Sequence, residues 1–154
     1  MPPDEQSPPR PLDPTEEAFV RALGQVMMGL PRAVDADMVR EGGLPLSEYT
    51  PLMLLSEAPR RRMRMSELAD ACNLTLGGMT RVVSRLEKQG FVQRVQCAED
   101  LRGWNAVLTD DGLARLREAW PAHLASVRRH MLDDLADHDL ARLADALRRI
   151  ARKP

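Results

Sequence analysis

The chain has 154 residues, of which 44% are hydrophobic, 3% aromatic and 29% charged, with a net charge of −1. This supports one modest core and excludes a membrane-spanning or exported chain, because no apolar run reaches the required length, so a cytoplasmic location is expected. The near-neutral total hides a gradient: residues 57–104 hold nine bases against six acids, whereas residues 1–56 hold four bases against nine acids. Affinity for phosphate follows local rather than total charge.

In chain order, residues 1–13 read as a flexible arm, since six of the twelve prolines fall within the first fourteen residues and no periodicity accompanies them. Asp13-Pro14-Thr15-Glu16 then supplies an N-cap, a proline at the first helical position and a capping acid. The helix it starts runs through Phe19, Val20, Leu23, Met27 and Leu30, and Pro31 is expected to kink or interrupt it. Its continuation through Val34, Met38 and Val39 ends at Gly42-Gly43. Ser47 is expected to cap a helix that reaches about Glu57, with Pro51 early enough to be tolerated.

Ser66 is expected to cap a short helix with Glu67 at its positive end and a small apolar face of Leu68, Ala69 and Cys72. Asn73-Leu74 makes a turn. A second helix follows from a start signal at Thr75 to a stop at Gly90. At about 100° per residue, Leu76, Met79, Val82, Val83 and Leu86 gather on one side and Gly77, Arg81, Ser84, Arg85 and Lys88 on the other. The two glycines Gly77 and Gly78 each cost roughly 1 kcal/mol of helix stability relative to alanine, a cost that close approach of a partner at the amino end of the helix would offset. Residues 90–96 and 104–108 read as the strands of a hairpin whose polar tip, Cys97 to Gly103, places Asp100 where its carboxylate can orient Arg102. An extended arginine at a hairpin tip suits a narrow, negatively charged groove.

Thr109 caps a long helix carrying Leu113, Leu116, Trp120, Leu124, Val127, Met131 and Leu132, with Pro121 as an expected kink. Asp139 begins the last helix, with Leu140, Leu143, Leu147 and Ile150. A chain of this size cannot cover all these apolar faces alone, so an isologous homodimer is expected in which the first helix and the last two pair with their symmetry mates.

A short helix, a tight turn, a helix with exposed hydroxyls and bases, and a hairpin make a winged helix-turn-helix. The fold class is therefore mainly α with a small β-hairpin. Met65-Ser66-Glu67-Leu68-Ala69, the run Met79 to Glu87, Gly90-Phe91-Val92 and the combination of Asp100-Leu101-Arg102 with Val107-Leu108-Thr109-Asp110-Asp111-Gly112 resemble the MarR family of bacterial transcriptional regulators. The resemblance covers nearly the whole chain after Pro14. Gly77-Gly78 and Leu101 depart from the residues common there. It implies one domain over residues 14–154, with a winged helix-turn-helix at 46–108 and dimerisation helices at 14–45 and 109–154. By the same resemblance the Thr75 to Gln89 helix enters the major groove of double-stranded DNA and Arg102 reaches the minor groove. The expected contact set is Thr75, Gly77, Gly78, Thr80, Arg81, Ser84, Arg85, Lys88, Asp100 and Arg102. The implied function is a dimeric repressor of an inverted-repeat operator, released by a small, often phenolic or anionic, effector. Met27, Met28, Met53, Trp104 and Trp120 are candidates for lining its cleft, although methionines at helical spacing are usually core.

Two other readings use the same residues. The polar face of the second helix also fits a protein-interaction module, though it lacks the aromatic anchors such interfaces favour. Cys97, read as exposed at the base of the wing near Arg94 and Arg102, fits a thiol-based redox-sensing repressor; Cys72 reads as buried. The spacings of His123, His130 and His138 do not converge on a metal, and no nucleophile elbow, phosphate loop or dinucleotide fingerprint occurs. Neither a cofactor nor an enzymatic activity is expected.

Overall fold

The computed structural model describes residues 10–97 and 103–151. The helix α1 (Pro14–Asp37) starts where Asp13 accepts hydrogen bonds from the Thr15 and Glu16 amides, both at 2.9 Å, while the Glu16 carboxylate accepts the Asp13 amide. Of the kink or interruption expected at Pro31, the interruption does not occur, and the helix runs through it. A mid-helix proline costs about 3 kcal/mol, but Val34 and Met38, just beyond it, are core residues and Leu30 packs against that core; this burial holds the helix together across the missing bond. A π-helical turn (Met38–Gly42) follows, and Gly43, in the left-handed region at φ 60°, ends it.

The helix α2 (Leu46–Glu57) begins one residue before Ser47, with Pro45 as its extended N-cap. The expected Ser47 cap is wrong because the Leu46 amide is already taken by Asp35 of α1, at 2.7 Å. Ser66 is likewise inside its helix, α3 (Met65–Ala71), rather than at its cap; Arg64 is the N-cap and its amide donates to Glu67. The reason is a strand the sequence does not announce. β1 (Arg62–Arg64) delivers the chain to α3 in extended form and pairs antiparallel with β3 (Trp104–Leu108), Met63 opposite Ala106. β2 (Val92–Gln96) pairs with the other edge of β3, from Val92 opposite Leu108 to Gln96 opposite Trp104.

The helix α4 (Leu76–Lys88) buries Met79, Val82, Val83 and Leu86. At roughly 1.5–3 kcal/mol for each large apolar side chain buried, this face outweighs the cost of Gly77 and Gly78. Leu76, assigned to that face from the sequence, is instead 55% exposed, because the first turn projects past the core. The helix α5 (Asp110–Val127) starts at Thr109, whose hydroxyl accepts the Gly112 amide at 3.0 Å, and runs through Pro121 without interruption. A second π-helical turn (Arg128–Leu132) leads toward α6 (Leu140–Ala151), where Asp139 accepts the Arg142 amide.

The two π-helical turns meet at Asp37. Its buried carboxylate accepts hydrogen bonds from Ser126 at 2.9 Å and Arg129 at 2.8 Å, contacts His130 at 2.9 Å and pairs with Arg40. The Ser126 hydrogen bond first, then Arg40 and His130, outweigh burial and hold this carboxyl down at about 2. Its folded pKa therefore lies below the unfolded value near 3.8, so the stabilisation is present above that value and is lost as pH falls toward 2. Asp37→Asn is expected to lower the unfolding temperature at neutral pH. The deficit relative to the parent should shrink between about pH 4 and pH 2, followed by thermal unfolding across that range; a deficit constant with pH would mean that the charge of Asp37 contributes nothing.

Candidate nucleic-acid interface

The turn between α3 and α4 is closed by its own backbone: the Asn73 amide donates to Asp70 at 3.0 Å and the Leu74 amide to Ala69 at 2.9 Å, with Asn73 left-handed at φ 53°. Asparagine tolerates that region better than most residues. The Thr75 hydroxyl then accepts the Gly78 amide at 3.1 Å and caps α4. A side chain on Gly78 would meet that hydroxyl at 3.2 Å, whereas one on Gly77 would meet nothing within 4 Å. Gly78 is thus explained by the cap, and nothing inside the described chain requires Gly77 to be glycine.

Of the ten residues expected to form the contact set, eight are described. Gly77, Arg81 and Lys88 stand exposed along one side of α4, with Ser84 half-buried among them. Among the described residues neither Arg81 nor Lys88 has an acidic partner. The hydroxyl of Thr80 is turned back onto the Leu76 carbonyl at 2.8 Å. Arg85 is tied differently from the sequence expectation: its Nε donates to the buried carboxylate of Glu48 on α2 at 2.9 Å. Glu87 accepts both the backbone amide of Arg94 at 3.0 Å and its Nε at 2.7 Å, joining α4 to the root of β2. Asp100 and Arg102 lie outside the described residues.

The other basic residues of this region sit on β1, β2 and the turn before β1. Arg61 and Arg62 sit at the end of β1 paired toward Leu108 and α5, and Arg61 bonds Asp110 at 2.8 Å. Arg64, at the other end of β1, shares a hollow of about 470 Å³ with Ser66, Leu76, Thr80, Arg94 and Trp104, between the first turn of α4 and the wing.

Cys97 is not accessible at the base of the wing, contrary to what its position in the sequence suggested. It is only 4% exposed, because the ladder continues one step beyond β2: the Cys97 amide donates to the Gly103 carbonyl at 2.9 Å, holding the residue in the neck of the hairpin. An oxidant-sensing thiol needs access that this position lacks. Cys72 is partly buried rather than fully so, and burial pushes its thiol up. The methionines and tryptophans proposed for an effector cleft are dispersed. Met27 and Met28 are exposed on α1, Trp120 stands beside His123 on α5, and Trp104 belongs to the wing.

The residues that sequence reasoning missed are the acids that tie α4 to its neighbours, Glu48 and Glu87, and Asp37, which joins the end of α1 to the end of α5. Only Glu48 carries a signal, as an acid in the first turn of α2 ahead of its apolar run Leu52 to Leu55.

The sequence signature of the MarR family matches residues 44–103. The transcriptional repressor YetL of Bacillus subtilis is 32% identical over 112 residues, 71% of this chain and 67% of that protein. The crystal structure of Sco3205, a MarR-family transcriptional regulator from Streptomyces coelicolor in complex with DNA, superposes with a TM-score of 0.84 at 36% identity, covering 95% of this chain and 93% of that one. The chain belongs to the MarR family. AbsC, another MarR-family regulator of Streptomyces coelicolor, is similar at 39% identity and a TM-score of 0.81, over 93% of this chain and 96% of that one. A MarR-family transcriptional regulator is not an enzyme. Among the described residues no helix is long and apolar enough to cross a membrane, and no group of three His, Cys, Asp or Glu side chains converges as a metal site.

Proposed function

We propose that this MarR-family regulator is a homodimeric repressor that binds an inverted-repeat operator, with α4 in the major groove and Arg102 of the wing in the minor groove. The observation that carries the reading is the outer face of α4. Arg81 and Lys88 have no acidic partner among the described residues, and Gly77 leaves the backbone bare where a Cβ would meet open space. Phosphate oxygens and base edges are the partners that such a face fits. The DNA in the Sco3205 crystal and the repressor role named for YetL support the same direction.

Dimerisation is supported by the apolar residues left outside the core. Phe19, Val20, Val26, Met27 and Met28 of α1 and Leu140, Leu143, Leu147 and Ile150 of α6 are all exposed. A two-fold axis through these helices sets the recognition helices about one DNA turn apart. For release by an effector, one candidate site is a cavity of about 420 Å³ between α1, the first turn of α2 and the α3–α4 turn, lined by Arg32, Asp35, Ser47, Thr50, Cys72 and Leu74 among others. Its size lies in the range of small-molecule sites, and Arg32 is the cation that would meet an anionic ligand, beside Asp35, whose carboxylate already accepts the Leu46 amide. Occupancy there acts only by differing in affinity between the two spacings of the recognition helices.

The test is a fluorescence-anisotropy titration of the DNA upstream of the coding sequence, against a scrambled duplex, at two salt concentrations. Selective binding that weakens steeply with salt is expected, with counterions released at each neutralised phosphate. Arg81→Ala should cost about 1–3 kcal/mol on the selected duplex if the guanidinium meets a base, and the same on both duplexes if it meets a phosphate. Salt-insensitive behaviour with Arg81→Ala indistinguishable from the parent would favour a protein partner on this face instead.

A further inference from the structure

The first turn of α2 is bolted to three other helices. Its leading amide, from Leu46, donates to Asp35 of α1 at 2.7 Å. The fully buried Tyr49 ring stacks on His123 of α5, with ring centroids 4.4 Å apart. Between them Glu48, whose side chain is 9% exposed, accepts the Arg85 Nε of α4 at 2.9 Å. Among the described residues this is the ion pair that joins the recognition helix to α2; the other ion pair of α4, Glu87 with Arg94, joins it to the wing.

We propose that Glu48 is a positioning residue for DNA recognition: by holding Arg85 it fixes the tilt of α4 on the dimer scaffold and so sets the half-site spacing the protein accepts. The inference rests on the proposed DNA-binding function. Apolar contacts resist separation of packed elements but are non-directional, so they constrain rotation less than a charge-assisted hydrogen bond does. The bond lies in the last turn of α4, whereas Gly77 and Arg81 lie toward its start. At about 1.5 Å per residue, Leu76 is roughly 13 Å from Arg85, so a tilt of about 10° moves the helix start about 2 Å. A two-fold axis doubles that to about 4–5 Å, which exceeds the roughly 3.4 Å between successive base pairs. A loosened Arg85 therefore blurs spacing by about one base pair.

This assigns Arg85 a role unlike that of Arg81. A guanidinium that only met phosphate would change affinity equally at every spacing, and one that only stabilised the fold would change unfolding and leave spacing preference alone. The experiment uses the full chain and the inverted repeat enriched from a random duplex pool, with versions in which the half-site separation is one base pair shorter or longer. Glu48→Gln is expected to cut the preference for the parental separation by about tenfold or more, with binding to the altered separations retained. Glu48→Gln combined with Arg85→Ala should be no worse in that preference than the more severe single change, since both act through one bond. Arg85→Lys keeps the charge but loses the fixed geometry of the guanidinium, and it should lose the preference in the same way, which keeps the question answerable if Glu48→Gln does not fold. Unchanged spacing preference in the variants, while the parent prefers one separation, overturns the role of Glu48 alone. A parent that enriches no inverted repeat overturns the DNA-binding reading together with it.

Discussion

Gly112→Ala is expected to be strongly destabilising. A Cβ at this position would stand 2.1 Å from the Phe91 carbonyl oxygen, 2.7 Å from Leu108 Cδ1 and 2.9 Å from the Phe91 carbonyl carbon. The Phe91 carbonyl is held by the Thr109 amide at 3.1 Å, and the Thr109 hydroxyl donates to the Gly90 carbonyl at 2.7 Å, so neither side of the contact is free to give. Relief requires separating the start of α5 from the junction of α4 and β2. Overpacking ordinarily costs 1–3 kcal/mol, and a clash with backbone belongs at or beyond the top of that range, so a loss of about 3 kcal/mol or more is expected from a total that is typically 5–15. For a domain of this size that is a fall of roughly 10 °C in unfolding temperature. The control is Gly24→Ala, where a Cβ meets nothing within 4 Å on α1; better helix propensity should make it neutral or stabilising by up to about 1 kcal/mol. Thermal unfolding of the two variants side by side decides the point. Equal behaviour would mean the α5 start is far more yielding than its hydrogen bonds indicate.

Leu147→Asp is expected to separate the proposed dimer while leaving the protomer folded. No residue of α6 is buried within the single chain, and Leu147 is 51% exposed there. It lines a groove of about 610 Å³ with Val26, Leu30 and Met131, between α1, the second π-helical turn and α6. Burying a leucine contributes roughly 1.5–3 kcal/mol, and an aspartate forced into the same place adds desolvation of its charge. Two copies meet across a two-fold axis, so a loss of about 3–6 kcal/mol or more is expected, on the order of 10²- to 10⁴-fold in dimer dissociation constant. Sedimentation equilibrium should show a monomer with unchanged helical circular dichroism, and operator affinity should fall with it. A variant that remains dimeric would place the interface on another face.

The elements that carry strong local chemistry were legible in the sequence. Asp13, Thr75 and Thr109 each cap the helix expected of them, because a side-chain oxygen positioned before an apolar-periodic run has few other uses. The hairpin of β2 and β3 was readable from its β-branched and aromatic residues. β1 was not: three residues with two arginines and only Met63 to pack present neither the length nor the alternation of a strand, and its pairing is supplied by β3 some forty residues later in the chain. That unseen strand also displaced the expected Ser66 cap. The Ser47 cap and the Pro31 interruption failed for a related reason, since tertiary contacts through Asp35 and the core override local preference there.

The candidate site was legible in its chemistry and less so in its supports. Periodicity separated the buried face of α4 from the face bearing Arg81 and Lys88, but it could not distinguish Arg81 from Arg85, because only the fold brings Glu48 to the latter. Cys97 looked accessible from its position near a polar tip, whereas the extended ladder encloses it. Asp37 gave no sign of its role, since its partners Ser126, Arg129 and His130 lie about ninety residues away in the chain.

If two copies of α4, related by a two-fold axis, read DNA as proposed, selection from a random duplex pool by the purified full chain, with sequencing of the bound fraction, should enrich an inverted repeat. Its half-sites should lie about one helical turn apart, bound by two chains per duplex, and the enrichment should be lost with Arg81→Ala. Enrichment of no sequence, or of an asymmetric site bound by a single chain, would contradict that reading.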